Sequence, residues 1–483
     1  MSRATLARHW LAVALLGAGL ALRVLDQLAY RPALFYIDTA RYLSDNPPGM
    51  DPLGYGGIVR AVAPVAGLAG VAALQHLLGL AMAVVIYLLL LRRGASRWIA
   101  AVAIAPVLLD GYQLQIEQTI MPDTAFEALI VAGLAILLWR PEATWRRTLA
   151  AGLVLGASAT VAQVGEALLF PSVIFVLAAA PGWRAAAGRT AVLCAAFAAP
   201  ILAYSAGSYL AAGSFFLSHT GITSFYGRAA AAADCATLRL PPDERGLCPA
   251  KAQQARGPDW LEYSQQSPVR RYYLEPDRAR TDSQLASFNH AVLTQQPGRL
   301  LAAYGRDAAK LFEPGRVTDA GDTPISRWQF QPGFPYFWPW SSRWVVGREI
   351  AQFGGGRPAV WTGAAAFLRS YQLGGGYTPG PLFALAALAG LAGSAAAFGR
   401  RAGPQVRRPA LACLLCFGSA VLVLGVSDLF EFSWRYQLPA LVTLVPAGAL
   451  GITVIVGLIR TRRPAAPAPA PSPERQAPAP HSS

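Results

Sequence analysis

Lysine is almost missing from this chain: of its 41 basic residues, only Lys251 and Lys310 are not arginine. Histidine and cysteine number five each, and acidic residues, at 26, leave a net charge of +15. The scattered histidines form no His-rich metal motif and no Ser-His-Asp arrangement, and no Gly-rich phosphate loop stands out. Charged residues make up 14% against 54% hydrophobic, with a mean hydropathy of +0.37, which excludes a large soluble enzyme. Such a positive charge would point to nucleic acid in a soluble protein. Here the arginines stand in short clusters between apolar runs, so membrane topology accounts for them and no nucleic-acid partner is implied.

What is present is a series of apolar runs approaching the ~20 residues that cross a bilayer core. The first covers residues 9–29. Behind Arg3 and Arg8, and without a small-residue cleavage site, it reads as a retained signal anchor. The run 61–91, ending in Arg92-Arg93, is too long for one perpendicular span, so its first part is expected along the membrane surface. Further runs cover 98–109, 124–139, two short spans within 148–180, then 190–211, 380–398, 409–426 and 438–459. Placing Arg140, Arg146-Arg147, Arg184, Arg189, Arg400-Arg401, Arg407-Arg408 and Arg462-Arg463 in the cytoplasm leaves no cluster on the wrong side.

The expectation is an all-α polytopic membrane protein of about ten transmembrane helices, multi-pass in the cytoplasmic membrane, with both termini cytoplasmic. Residues 1–211 form an N-terminal transmembrane core with acidic outer loops at 30–60 and 110–123. An extracytoplasmic, mainly helical insertion occupies 212–378. C-terminal transmembrane helices follow at 379–463, then a disordered Pro/Ala-rich cytoplasmic tail at 464–483.

Within the insertion, Cys235 and Cys248 lie thirteen positions apart; an oxidising exterior favours a disulfide, with two free thiols as the alternative. Cys194, Cys413 and Cys416 sit in apolar spans and read as buried hydrophobes. Residues 281–296 and 299–313 have helical apolar spacing and are separated by Pro297-Gly298. The aromatic run from Trp328 to Trp340 is either an interfacial belt or a wall for a sugar or a polyprenyl tail.

The chemistry-bearing residues gather in three outer loops. The first, Tyr36-Ile37-Asp38-Thr39-Ala40-Arg41-Tyr42, carries acids at Asp38, Asp45 and Asp51. On a helix, Asp38, Arg41 and Tyr42 share a face. Asp38 is either a helix cap or surface ion-pair partner, or a base that deprotonates a hydroxyl. The second loop offers Asp110, Glu117 and Asp123, the last opening a span where it complements a helix terminus or binds a metal, a sugar hydroxyl or the acceptor. The third runs from Asp428 to Pro439; its Arg435 either snorkels to lipid phosphates or clamps the phosphate of a lipid-linked substrate. Within the spans, Arg23 and Asp26 are spaced to pair, and His76, Gln163 and Glu166 stand in apolar settings.

The Asp38/Tyr42 loop, Met121-Pro122-Asp123 and Arg435-Tyr436-Gln437-Leu438-Pro439 together resemble the GT-C superfamily of membrane glycosyltransferases, in particular bacterial members related to protein O-mannosyltransferases and aminoarabinose transferases. The segment with Gly227-Arg228, Asp234-Cys235, Leu247-Cys248-Pro249 and Ser267-Pro268 is similar to one in uncharacterised actinobacterial members, and the Arg-, Ala-, Gly- and Pro-rich composition suits a GC-rich genome.

The resemblance implies an inverting transfer of a hexosyl or pentosyl unit from a polyprenyl-phosphate donor. The acceptor would be a cell-envelope glycan, lipid or protein at the outer side of the membrane. It makes Asp38 the catalytic base, with Arg435 and Arg41 on the donor phosphate and Tyr42, Asp123, Glu117 and Tyr436 lining the substrate. Many members carry two adjacent acids in the first loop. Asp38-Thr39 departs from this and leaves metal use open, with a divalent cation the candidate cofactor. A lipid-linked oligosaccharide polymerase or ligase shares these loops and substrates. A transporter or flippase would carry internal repeats, and none is seen.

Overall fold

The computed structural model describes residues 7–43, 52–140, 142–274, 278–337, 341–399 and 403–462. Asp45, Asp51 and the tail 464–483 lie outside the described residues. The described chain is an all-α polytopic membrane protein, and its apolar runs are helices. In order these are α1 (Trp10–Ala29), α2 (Gly54–Arg92), α3 (Arg97–Leu109), α4 (Gly111–Gln118), α5 (Asp123–Leu138), α6 (Trp145–Val161), α7 (Leu169–Ala179) and α8 (Trp183–Ala212). The polar segment contains α9 (Thr220–Ala232), α10 (Gly257–Tyr263), α11 (Arg278–Gln295), α12 (Pro297–Lys310), α13 (Arg343–Phe353) and α14 (Thr362–Leu373). The chain then returns to the bundle with α15 (Gly380–Ala395), α16 (Pro404–Phe430) and α17 (Leu444–Arg462). One small antiparallel pair, Tyr30–Arg31 with Ala359–Val360, ties the end of α1 to the start of α14.

Among the described residues, six helices are long and apolar enough to cross a membrane, or seven if the bent pair α3 and α4 counts as one span. The expected count of about ten is not reached, for a physical reason. Helices α5 and α6 have 16 and 17 residues, short of the ~20 a perpendicular span needs, and most of α5 is buried among other helices. The long run ending at Arg92 is two helices, broken at Gly67, whose φ of 65° suits glycine alone. The bend between α3 and α4 is 49°, and the Asp110 carboxylate caps α4 by accepting from the Tyr112 amide.

Lipid-facing surfaces carry exposed apolar side chains, such as Val13, Leu20 and Val24 on α1 and Leu385, Leu388 and Leu391 on α15. Helix contacts rely instead on small residues, because hydrocarbon offers no hydrophobic drive to pack helices together. A Cβ at Gly156 would stand 2.1 Å from the Phe197 carbonyl oxygen, where α6 crosses α8; one at Gly451 would stand 2.0 Å from the Ala389 oxygen, where α17 crosses α15. The polar segment has its own core, built on Tyr226, Leu261, Leu285, Phe288 and Val292. Cys235 and Cys248 are disulfide-bonded beside it, with their Cα atoms 5.8 Å apart. Cys413 and Cys416 are buried thiols.

Candidate active site

The first and second loops are laced together before any charged group is considered. Leu34 donates its amide to the Gln118 carbonyl at 2.9 Å and accepts from the Ile120 amide at 3.0 Å. The Thr39 hydroxyl accepts from the Tyr36 amide at 2.8 Å and donates to the Ile120 carbonyl at 3.0 Å. This stitching holds Asp38, at the entry to the short helix Thr39–Leu43, over the N-terminus of α5, where Asp123 sits in the first turn. The third loop approaches from the C-terminal end of α16. Its 3₁₀ turn Trp434–Gln437 is anchored by the Trp434 indole, which donates to the Val317 carbonyl at 2.8 Å.

Arg435 then stands between the two acids. Its Nη1 lies 3.5 Å from Asp38 Oδ2 and its Nε 3.3 Å from Asp123 Oδ1. Arg41 approaches the other oxygen of Asp38 at 3.6 Å. Three aromatic rings surround the Arg435 guanidinium: Tyr436 at 4.6 Å, Trp328 at 5.0 Å and Tyr36 at 6.0 Å. The Asp38 side chain keeps 21% exposure, so water and solutes reach it. Among the described residues, Asp123 Oδ2 and Arg435 Nε are buried without a hydrogen-bond partner.

Residues from the polar segment close the cluster, and the sequence reading missed them. Arg327 donates to the Tyr36 hydroxyl at 3.1 Å and lies 3.7 Å from Asp259 on α10. Burial pushes the Tyr36 hydroxyl up to about 12, and burial likewise raises Asp259 against the opposing pull of Arg327. Glu431 is raised well above the carboxylate range, first by burial and then by the charges of Asp259 and Glu262; Glu262 itself is raised to about 7 by burial. The one local signal was Glu431, four residues before Arg435. Asp259 sits in no recognisable motif, and only the docking of α10 beside the loops brings it near. Trp328, from the aromatic run, is 3% exposed and packs on Tyr36 at 4.5 Å, so it is part of this wall; Trp344 is 70% exposed and is not.

The remaining sequence candidates divide. Tyr42 is buried, edge-on to Tyr55, and Tyr436 lies under the guanidinium. Glu117 does not join the cluster. Its carboxylate bonds Arg23 at 2.7 Å and His76 at 3.0 Å in a fully buried network, and Gly79 gives it room: a Cβ there would stand 2.2 Å from Glu117 Oε1. Arg23 therefore pairs with Glu117 rather than with Asp26, whose carboxylate is buried without a hydrogen-bond partner among the described residues. Asp110 is likewise spent, gripped by Arg316 at 2.7 Å and by the Thr378 amide at 2.8 Å.

Among the described residues, no three His, Cys, Asp or Glu side chains converge as a metal site. Arg435 occupies the place between Asp38 and Asp123 that a cation would take.

The chain matches no family model and no curated protein. It is similar to a chain of the S. cerevisiae protein O-mannosyltransferase Pmt1-Pmt2 complex bound to the sugar donor, with 17% identity and a TM-score of 0.34 over 47% of this chain and 36% of that one. It is also similar to the oligosaccharyltransferase AglB of Archaeoglobus fulgidus, solved with an inhibitory peptide and a dolichol-phosphate. There the identity is 14% and the TM-score 0.45, over 97% of this chain and 53% of that one. The chain thus spans about half or less of the length of each. At these scores neither similarity transfers an activity, and the reading of the site rests on its own residues.

Proposed function

We propose that this protein is a GT-C-type glycosyltransferase that moves a sugar from a polyprenyl-phosphate donor to an acceptor at the outer face of the cytoplasmic membrane. The observation that carries this reading is the chain of Arg41, Asp38, Arg435 and Asp123, assembled from three separate loops at one end of the bundle. A transporter would concentrate its charges near the midplane instead.

In this mechanism Arg435 and Arg41 leave their long contacts with Asp38 to take the donor phosphate through charge-assisted hydrogen bonds. Asp38 is then free to accept the proton of the acceptor hydroxyl as its oxygen attacks the anomeric carbon. The bond from that carbon to the phosphate oxygen breaks, its electron pair leaves with the polyprenyl phosphate, and the arginines meet the charge that develops. A single displacement inverts the anomeric centre. Asp123 fixes Arg435, the buried rings of Tyr36 and Trp328 back the guanidinium, and the partly exposed ring of Tyr436 offers a face to the sugar.

The test is transfer in membranes supplied with a panel of radiolabelled polyprenyl-phosphate sugars. Asp38→Asn should reduce transfer at least ~100-fold, the lower end of what a positioned base contributes, at unchanged protein abundance. Full transfer by that variant removes Asp38 from the reaction. Arg435→Ala should raise the donor KM more than the acceptor KM; an unchanged donor dependence returns Arg435 to membrane anchoring.

A further inference from the structure

At the opposite end of the bundle from the candidate active site lies a cavity of about 320 Å³, whose rim is arginine and tryptophan. The separation follows from helix geometry. Asp123 opens α5 and Trp139-Arg140 follow its last residue, so 16 residues at ~1.5 Å each put the two about 24 Å apart. Helix α16 repeats the arrangement, with Arg408 near its start and Glu431 just past its end.

The cavity is a built one. Arg93, at the end of α2, is buried, and its guanidinium is spent on the carbonyls that end α5: Nε donates to Leu138 at 2.7 Å and Nη2 to Arg140 at 2.8 Å. That fastens two walls together. Arg92 lies over the Trp139 ring at 4.3 Å, which fixes a third group. Arg140 and Arg408 complete the basic lining, together with Gln405 and Pro409 from α16. No lining residue is acidic, and among the described residues Arg92, Arg140 and Arg408 make no ion pair with a carboxylate. Three exposed guanidinium groups gathered around the buried Arg93, with no carboxylate paired to them among the described residues, repel one another, and an anion bound between them relieves that repulsion.

We propose that this cavity binds the phosphate headgroup of an anionic phospholipid. Its place at the ends of membrane-crossing helices favours a lipid over a soluble anion, since basic pockets between helices there meet headgroups at high local concentration. Trp139 sits where an amphipathic ring meets the headgroup level. The bound lipid would supply the counter-charge that lets α2, α5 and α16 end together.

The test uses the full chain purified in a neutral detergent and native mass spectrometry with added phosphatidylglycerol or phosphatidylcholine. The wild type should retain phosphatidylglycerol preferentially and melt at a higher temperature with it. R92Q/R408Q, which changes two exposed arginines, should lose roughly 30-fold in retention, the increment of two interfacial charges. R184Q/R189Q, with the same charge change at the start of α8, should keep the wild-type preference. Equal retention of the two lipids by the wild type overturns the proposal. So does an equal loss in both double variants, which would mean diffuse attraction. Should R92Q/R408Q fail to fold, R408Q alone is read by the same criteria. Inorganic phosphate at matched concentration should not displace the lipid; displacement would assign the site to a soluble anion and overturn the lipid reading.

Discussion

Two charged clusters lie within a few residues of each other along the second loop, and their chemistry is opposite. Around Arg435, the contacts to Asp38 and Asp123 are 3.3 to 3.5 Å long, and Asp38 is partly exposed. Around Arg23, the bonds to Glu117 and to the Val107 and Leu108 carbonyls are 2.7 to 3.0 Å, both Glu117 oxygens are taken, and neither side chain is reached by solvent. The same residue types thus make a site in one place and a strut in the other. Loose contacts open to solvent can be exchanged for a substrate, whereas short buried ones are broken only at the cost of leaving a charge unpaired in a dry interior.

This comparison can be broken by experiment. The largest effect belongs to the Arg23 cluster: Glu117→Ala should destabilise the protein by about 3–5 kcal/mol by stranding Arg23, seen as a lower unfolding midpoint in detergent. Asp38→Asn should leave that midpoint where it is while abolishing transfer. If Asp38→Asn lowers the midpoint as Glu117→Ala does, the two clusters are both structural and the distinction fails. Next in size, Cys235→Ser should cost about 3 kcal/mol, the entropy of opening a loop of that length, and the loss should be confined to the polar segment in hydrogen exchange. Wild-type exchange throughout that segment in the serine variant would deny the bridge a stabilising role.

A further effect is on pH. Glu262 is raised from 4.5 to about 7 in the fold, so between those values the folded state holds a proton that the unfolded chain has released. Its contribution is complete below the unfolded value and is lost as pH rises through 7. The unfolding midpoint should therefore fall between pH 5 and pH 7.5, and Glu262→Gln should flatten that fall. An identical slope in the variant would place the titration elsewhere in the cluster, at Asp259 or Glu431.

Much of the architecture was legible because it follows from local rules. The break in the run ending at Arg92 was visible as an excess of apolar length, and the two helices expected at 281–296 and 299–313 are present as 278–295 and 297–310, with Pro297 opening the second rather than separating the pair. The span count was not legible, since hydropathy does not distinguish a short helix buried among others, like α5, from one crossing lipid alone. Asp38, Asp123 and Arg435 could be picked out as interfacial charges beside aromatics. Arg327 and Asp259 could not, because nothing local marks a residue whose partner is nearly three hundred positions away, as Tyr36 is from Arg327. Glu117 was misjudged for the converse reason: its setting between polar glutamines reads as a loop, yet α4 turns it inward to Arg23.

The amino-acid order alone determined that this chain enters a membrane, that its apolar runs form helices, and which connecting segments hold charge, because hydropathy and spacing act over a few residues. Only the tertiary structure decided which acid meets which arginine. An ion pair depends on the distance and dielectric between side chains, and helix packing sets both.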